Sequence, residues 1–141
     1  MDVVADLDAP HPPARVWQVV SDLRTYPRWL DIVARVEDVA DGSWTVDLRG
    51  RLGPFARSKR LRMVRAEAME PSVVVFERQE LDGREHSPWV LRAEVADHGD
   101  GGSRLTMRLH YGGGLFGPVL ERLLGDTIER SRPRLLAVLE E

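Results

Sequence analysis

The chain is 141 residues long, 43% hydrophobic and 30% charged, a globular composition of one domain's length that leaves room for a sizeable core and argues against disorder. It holds no cysteine, which rules out disulfides, thiolate catalysis, zinc ribbons and iron–sulfur ligation, and fits a reducing cytoplasm. The net charge of −3 conceals an asymmetry: from Arg49 to Arg65 there are seven bases and no acid, so the rest of the chain sums to −10.

Val3, Ala5 and Leu7 alternate with Val4, Asp6 and Asp8, which predicts a first strand over about residues 2 to 8, stopped by Pro10. Pro12 and Pro13 sit where a first helical turn tolerates missing N–H groups. Val16, Val19, Val20 and Leu23 then recur at helical spacing, so a helix should run to about Ser21 or Asp22. Thr25 is placed to cap a second short helix with Pro27 in its first turn, turning Tyr26, Trp29 and Ile32 or Val33 toward whatever it covers. From residue 35 the texture changes to strands parted by turn signals such as Asp41-Gly42, Gly53-Pro54, Glu70-Pro71, Asp82-Gly83 and Asp100-Gly101-Gly102. Six strands are predicted, at about 35–40, 44–52, 56–68, 73–80, 87–96 and 103–111. Trp89, Leu91, Ala93 and Val95 face one way and Arg92 and Glu94 the other, the mark of an antiparallel sheet with one wet face. After Gly112-Gly113-Gly114, an apolar stripe from Phe116 to Leu139 predicts a long helix, with a bend near Glu129 to Pro133 because an interior proline removes a backbone bond.

This order predicts an α+β fold in which a twisted, seven-stranded antiparallel sheet wraps around the long C-terminal helix. Two short helices between the first and second strands close one end, and residues 1–141 form one domain. A curved sheet gripping a single helix leaves a gap.

The opening DLDAPHPPARVWQVVSDLRTYPRWLDIV resembles the START-related helix-grip superfamily (SRPBCC), and most of all its polyketide cyclase/dehydrase branch. The residues that carry this are Ala9-Pro10, Val16-Trp17, Ser21-Asp22, Tyr26-Pro27-Arg28-Trp29, the Trp89-Val90-Leu91 strand and the ending from Leu115 through Leu124. The resemblance implies a helix-grip fold with a deep apolar cavity between sheet and C-terminal helix. It implies little more about function, since lipid carriers, hormone receptors, ubiquinone-binding chaperones and aromatase/cyclases share that fold.

Gly112-x-Gly114-x-x-Gly117 matches the dinucleotide fingerprint in form, yet a Rossmann unit needs another parallel strand after its helix and none follows, so no cofactor is expected. His11, His86, His98 and His110 are scattered without metal-ligand spacing, so no metal is expected; of these, His86 is the candidate for a polar role at a cavity rim. On the fourth strand two registers remain open. If Ser58, Val64 and Ala66 point inward, Arg60 and Arg62 come with them; if Leu61 and Met63 do, Lys59 and Arg57 or Arg65 follow. Either register sets positive charge against the core unless a bulge intervenes, and a buried guanidinium must meet a carboxylate, with Glu77 and Asp47 as candidates, or a ligand. Tyr26, Trp29, Trp89, Tyr111 and Phe116 supply apolar bulk on faces expected to look inward, and with Arg60 and Arg62 they make up the candidate ligand-binding set.

Two partners follow: a hydrophobic small molecule in the cavity and, for the basic hairpin, an acidic acyl carrier protein. The basic stretch is otherwise a solvated face neutralised by acids of neighbouring strands. Nucleic acid is not expected, because the chain is acidic overall and only Phe55 lies near the bases. No apolar run reaches the roughly 18 residues of a membrane span, and MDVVADLD carries acids where a signal peptide needs bases, so a cytoplasmic protein without transmembrane segment is expected. Three functions compete. One is binding of a lipid, isoprenoid or polyketide. A second is a polyketide aromatase/cyclase in which an arginine stabilises enolate oxygen. The third is an interaction module with a vestigial pocket.

Overall fold

The computed structural model describes residues 2–52, 55–112 and 120–141, with side chains outside 51–57 and 120–123. Seven strands, β1 (Asp2–Ala9), β2 (Val33–Ala40), β3 (Ser43–Leu52), β4 (Phe55–Met69), β5 (Val73–Arg78), β6 (Trp89–His98) and β7 (Gly102–Tyr111), form one sheet in the order β1-β7-β6-β5-β4-β3-β2. Helix α1 (Pro13–Val20) and a 3₁₀ turn (Leu23–Arg28) lie between β1 and β2, and helix α2 (Leu120–Leu139) follows β7. The sheet is antiparallel throughout, open and curved, and the fold is the α+β helix-grip arrangement read from the sequence.

From β2 to β7 each strand pairs with the next in sequence, so this part of the sheet is a meander. At Asp41-Gly42 the glycine takes φ 71°, a left-handed conformation open to glycine without strain, and Ser43 then pairs with Ala40. Only β1 breaks sequence order. It pairs with β7 in an unbroken register from Asp2↔His110 to Ala9↔Ser103, which brings Val3, Ala5 and Leu7 onto the same face as Leu105, Met107 and Leu109.

That inner face carries the core. Trp44, Val46 and Leu48 on β3, Leu61 and Met63 on β4, and Val74 and Phe76 on β5 are all buried on it. Helix α1 adds Val16, Val19 and Val20 from one side of its cylinder, consistent with its spacing. Arg15, on the flank of α1, donates from Nε to the Leu139 carbonyl (3.1 Å) and from Nη2 to the Val138 carbonyl (3.0 Å). A cation there meets the last turn of α2, where backbone carbonyls lack partners and the helix dipole is negative.

Several boundaries differ from the sequence reading. The 3₁₀ turn is capped by Asp22, whose carboxylate accepts from the Arg24 backbone N–H (3.0 Å), while Thr25 turns its hydroxyl onto the Val19 carbonyl (2.8 Å). Helix α2 keeps Pro133 inside it and runs to Leu139, the end that the apolar stripe gave. β5 stops at Arg78 and β6 starts at Trp89; residues 79–88 form neither strand. The Arg78 side chain gathers that segment, donating to Glu80 Oε2 (2.7 Å) and to the Ser87 carbonyl (3.2 Å), while the segment's ends are held by backbone bonds from Gln79 N–H to the Arg62 carbonyl and from Gly112 N–H to the Pro88 carbonyl, 3.0 Å each.

Candidate functional site

Between the inner face and α2 lies an apolar cavity of about 150 Å³. Its sheet wall is built from alternate residues of β1, β3, β4, β6 and β7, among them Leu7, Val46, Met63, Leu91, Leu105 and Met107. The helix wall is Leu124, Thr127, Ile128, Ser131, Arg132 and Leu135, an i, i+3, i+4, i+7 set that only a helical backbone lines up on one side. Tyr26, Trp29, Leu30 and Ile32, from the 3₁₀ turn and the residues after it, close one end.

Most polar groups at this wall are engaged by the protein. The Tyr26 hydroxyl donates to the Val20 carbonyl (2.8 Å), and the Tyr26 and Trp29 rings meet at 4.5 Å between centroids. Burial, with a smaller contribution from the Asp22 charge, pushes the Tyr26 phenol far above its ordinary range, so it stays protonated and is no base. The Trp29 indole N–H points to Thr25 Oγ1 at 3.3 Å, and the Ser131 hydroxyl to the Ile128 carbonyl at 2.7 Å. Trp89 stacks on Tyr111 with centroids 5.5 Å apart; its indole N–H is buried with no partner among the described residues. Arg132 bridges the rim, bonding the Asp6 carbonyl of β1 and, at 3.3 Å, Glu129 of its own helix.

The seven candidate residues therefore separate. Tyr26, Trp29 and Trp89 stand in the cavity wall; Tyr111 is buried behind Trp89 and is not part of the wall; Phe116 lies outside the described residues. Arg60 and Arg62 are a correction, for β4 takes the register in which Leu61 and Met63 point inward. Both arginines are then on the outer face. Arg60 is bound by Asp47 (2.7 Å), and Arg62 by the Gln79 carbonyl (2.9 Å) and Ser43 Oγ (3.3 Å), so neither supplies a cation to the cavity floor. The Arg60 hydrogen bond holds the Asp47 carboxyl below the usual carboxylate range.

What the register brings inward is Lys59. It pairs across the sheet with Leu48, while Met63 pairs with Arg78 on β5. Arg78, with only 9% of its side chain exposed, forms an ion pair with Glu80, and its Nη2 lies 3.3 Å from Nδ1 of His86, whose Nε2 faces Asp82 (2.8 Å). His86 thus belongs to a polar cluster at the end of the sheet. The sequence reading missed Arg78, though the signal was present: it is in phase with Val74 and Phe76 at the strand period of two. Among the described residues no group of three His, Asp or Glu side chains is arranged to hold a metal ion, and no helix is long and apolar enough to cross a membrane.

No curated protein sequence matches the chain. Solved structures do. A START superfamily protein from Mycobacterium smegmatis superposes with a TM-score of 0.74 at 19% identity, over 99% of this chain and 97% of that one. A conserved protein from Geobacillus kaustophilus gives 0.78 at 12% identity, over 99% and 95%. A protein from Chromobacterium violaceum gives 0.70 at 15% identity, over 99% and 97%. At such identities the likeness concerns the fold alone. The model of the family described as "polyketide cyclase / dehydrase and lipid transport" matches residues 2–140, and with the helix-grip geometry above this makes the chain a member of that family, within the START-related superfamily.

Proposed function

We propose that the protein binds a hydrophobic small molecule in the cavity between the sheet and α2. The observation that carries this reading is the chemistry of the wall: a chamber of about 150 Å³ lined almost wholly by apolar side chains, with the polar groups of Tyr26, Trp29 and Ser131 turned onto protein partners. An engineered cavity of about 150 Å³ lined by Leu, Ile and Phe stays dry and takes up benzene, whereas pockets for drug-sized ligands run from about 300 to 1,000 Å³. The size therefore favours a ring system of one or two rings, or a single alkyl or isoprenoid chain. A multi-ring polyketide would require the walls to part.

A cyclase that relies on Arg60 or Arg62 to hold an enolate is disfavoured, because both are on the opposite face of the sheet. Native mass spectrometry of protein purified without detergent tests the binding reading first, with a retained apolar adduct expected. Titration calorimetry with indole, and separately with octanol, tests it directly. Saturable one-to-one binding of either probe is the expected result, and heats equal to dilution for both would refute it.

A further inference from the structure

Of the chain's twenty basic side chains nineteen are arginine, and the one lysine is Lys59. Its position is unusual as well as its identity. Lys59 pairs with Leu48 and lies two residues from Leu61; both leucines line the cavity, and Lys59, outside that lining, follows them on the same face of the sheet toward the hairpin. It is half-buried, and its Nζ has the Ser87 hydroxyl at 3.4 Å. Among the described residues no carboxylate forms an ion pair with it. The acid whose charge acts on it, Glu80, is held by Arg78 Nε at 2.7 Å, and Arg78 Nη1 reaches the same Ser87 hydroxyl at 3.4 Å. An ammonium and a guanidinium thus crowd one neutral oxygen.

Partial burial and a neighbouring cation both favour the uncharged amine. They hold the Lys59 ammonium below its ordinary 10.5, burial first and Arg78 second, against an opposing pull from Glu80. A free amine is a nucleophile toward carbonyl carbon, a role arginine cannot take because its guanidinium stays charged.

We propose that Lys59 is a carbonyl-capturing amine, condensing with the aldehyde or ketone group of a small, otherwise apolar guest at the hairpin end of the cavity. The Nζ lone pair attacks the carbonyl carbon, a C–N bond forms, and the carbonyl oxygen leaves as water with the two amine hydrogens. The product is an imine, and no oxidant or reductant is consumed. An imine draws electrons from the adjacent C–H bonds, which is the activation that aldol closure of a β-keto chain requires. This assignment rests on the cavity as the guest's site.

The chain's composition makes the test sharp, since Lys59 and the terminal amine are its only primary amines. Acetylacetone is the probe, because its condensation product with an amine is stable and absorbs in the near ultraviolet. At neutral pH the intact protein should gain one acetylacetone less one water, map to Lys59 on digestion, and react roughly fivefold or more faster than a blocked lysine in solution. Lys59→Arg should abolish that adduct while still binding indole, and saturating indole should slow labelling of the unaltered protein severalfold. Labelling at Lys59 no faster than the blocked lysine, or undiminished by bound indole, overturns the proposal with the cavity reading intact. Fast labelling of Lys59 in a protein that binds neither indole nor octanol brings down the cavity reading and leaves only the amine's reactivity.

Discussion

Tyr26 combines a ring in the cavity wall with a hydroxyl that faces away from it, onto the Val20 carbonyl 2.8 Å distant. Tyr26→Phe leaves that carbonyl without its donor, so it should cost about 1–2 kcal/mol in urea denaturation. Indole affinity should stay unchanged, because the surface presented to a guest is the same ring. The Arg60–Asp47 pair contributes less still, because solvent screens an exposed ion pair. Arg60→Ala and Arg62→Ala should bind indole as the parent protein does, and a weakened titration would return these arginines to the site. Lys59 carries a pH signature of known sign. Its folded-state value is depressed, so between that value and 10.5 the unfolded chain holds more protons and stability rises with pH. Lys59→Met should therefore raise the urea midpoint at neutral pH, and the gain should shrink toward nothing as the pH approaches 10.5. A gain of equal size at both pH values would mean that packing, and not charge, is responsible.

Helix α2 ends against α1, where Arg15 reaches the Val138 and Leu139 carbonyls. Arg15→Ala removes three charge-assisted hydrogen bonds, to the Val138, Leu139 and Glu141 carbonyls, at the negative end of the helix dipole and should cost about 1–3 kcal/mol. Hydrogen exchange should quicken at the last turn of α2 and hardly at all in β6 or β7. The elements themselves were legible in the sequence wherever a period ran cleanly, as in β6 and β7, whose alternation is strict and whose turns carry glycine. β4 was legible as a strand and illegible in register. Apolar residues occur in both phases, Leu61 and Met63 against Val64 and Ala66, and the register shift between Arg65 and Glu67 relaxes alternation. Only cross-strand neighbours decide such a case: Trp44 and Val46 on β3 meet Met63 and Leu61 and draw them inward. The turn at Asp82-Gly83 was legible, but the strands read two residues too far on each side of it, to 80 and from 87, because nothing local reveals that the Arg78 side chain binds Glu80 and Ser87 there.

The cavity is a consequence of how sheet and helix are joined. Arg132 ties α2 to the Asp6 carbonyl of β1, Arg130 and Arg134 tie it to Asp31, and Arg28 meets Glu141 beyond its last turn. These contacts sit at the rim and are exposed, so each contributes little; what seats the helix is burial of Leu124, Leu135, Val138 and Leu139, at about 1.5–3 kcal/mol for a fully buried side chain. Those leucines and valine occupy the ends of the interface. In the middle, Thr127, Ile128 and Ser131 face the sheet with side chains too short to fill the space between, and the chamber persists there. Filling it should separate binding from folding. Ile128→Trp adds an indole ring's bulk at the centre of the helix wall, in a side chain that is only partly buried. It should abolish binding of both indole and octanol while shifting stability by about 1–3 kcal/mol, the ordinary cost of overpacking. Ile128→Ala moves the other way: it should cost less than the roughly 2–5 kcal/mol of a fully buried isoleucine, enlarge the chamber and admit guests that the parent protein excludes. Parent-like indole affinity in a folded Ile128→Trp protein would show that the probe binds elsewhere.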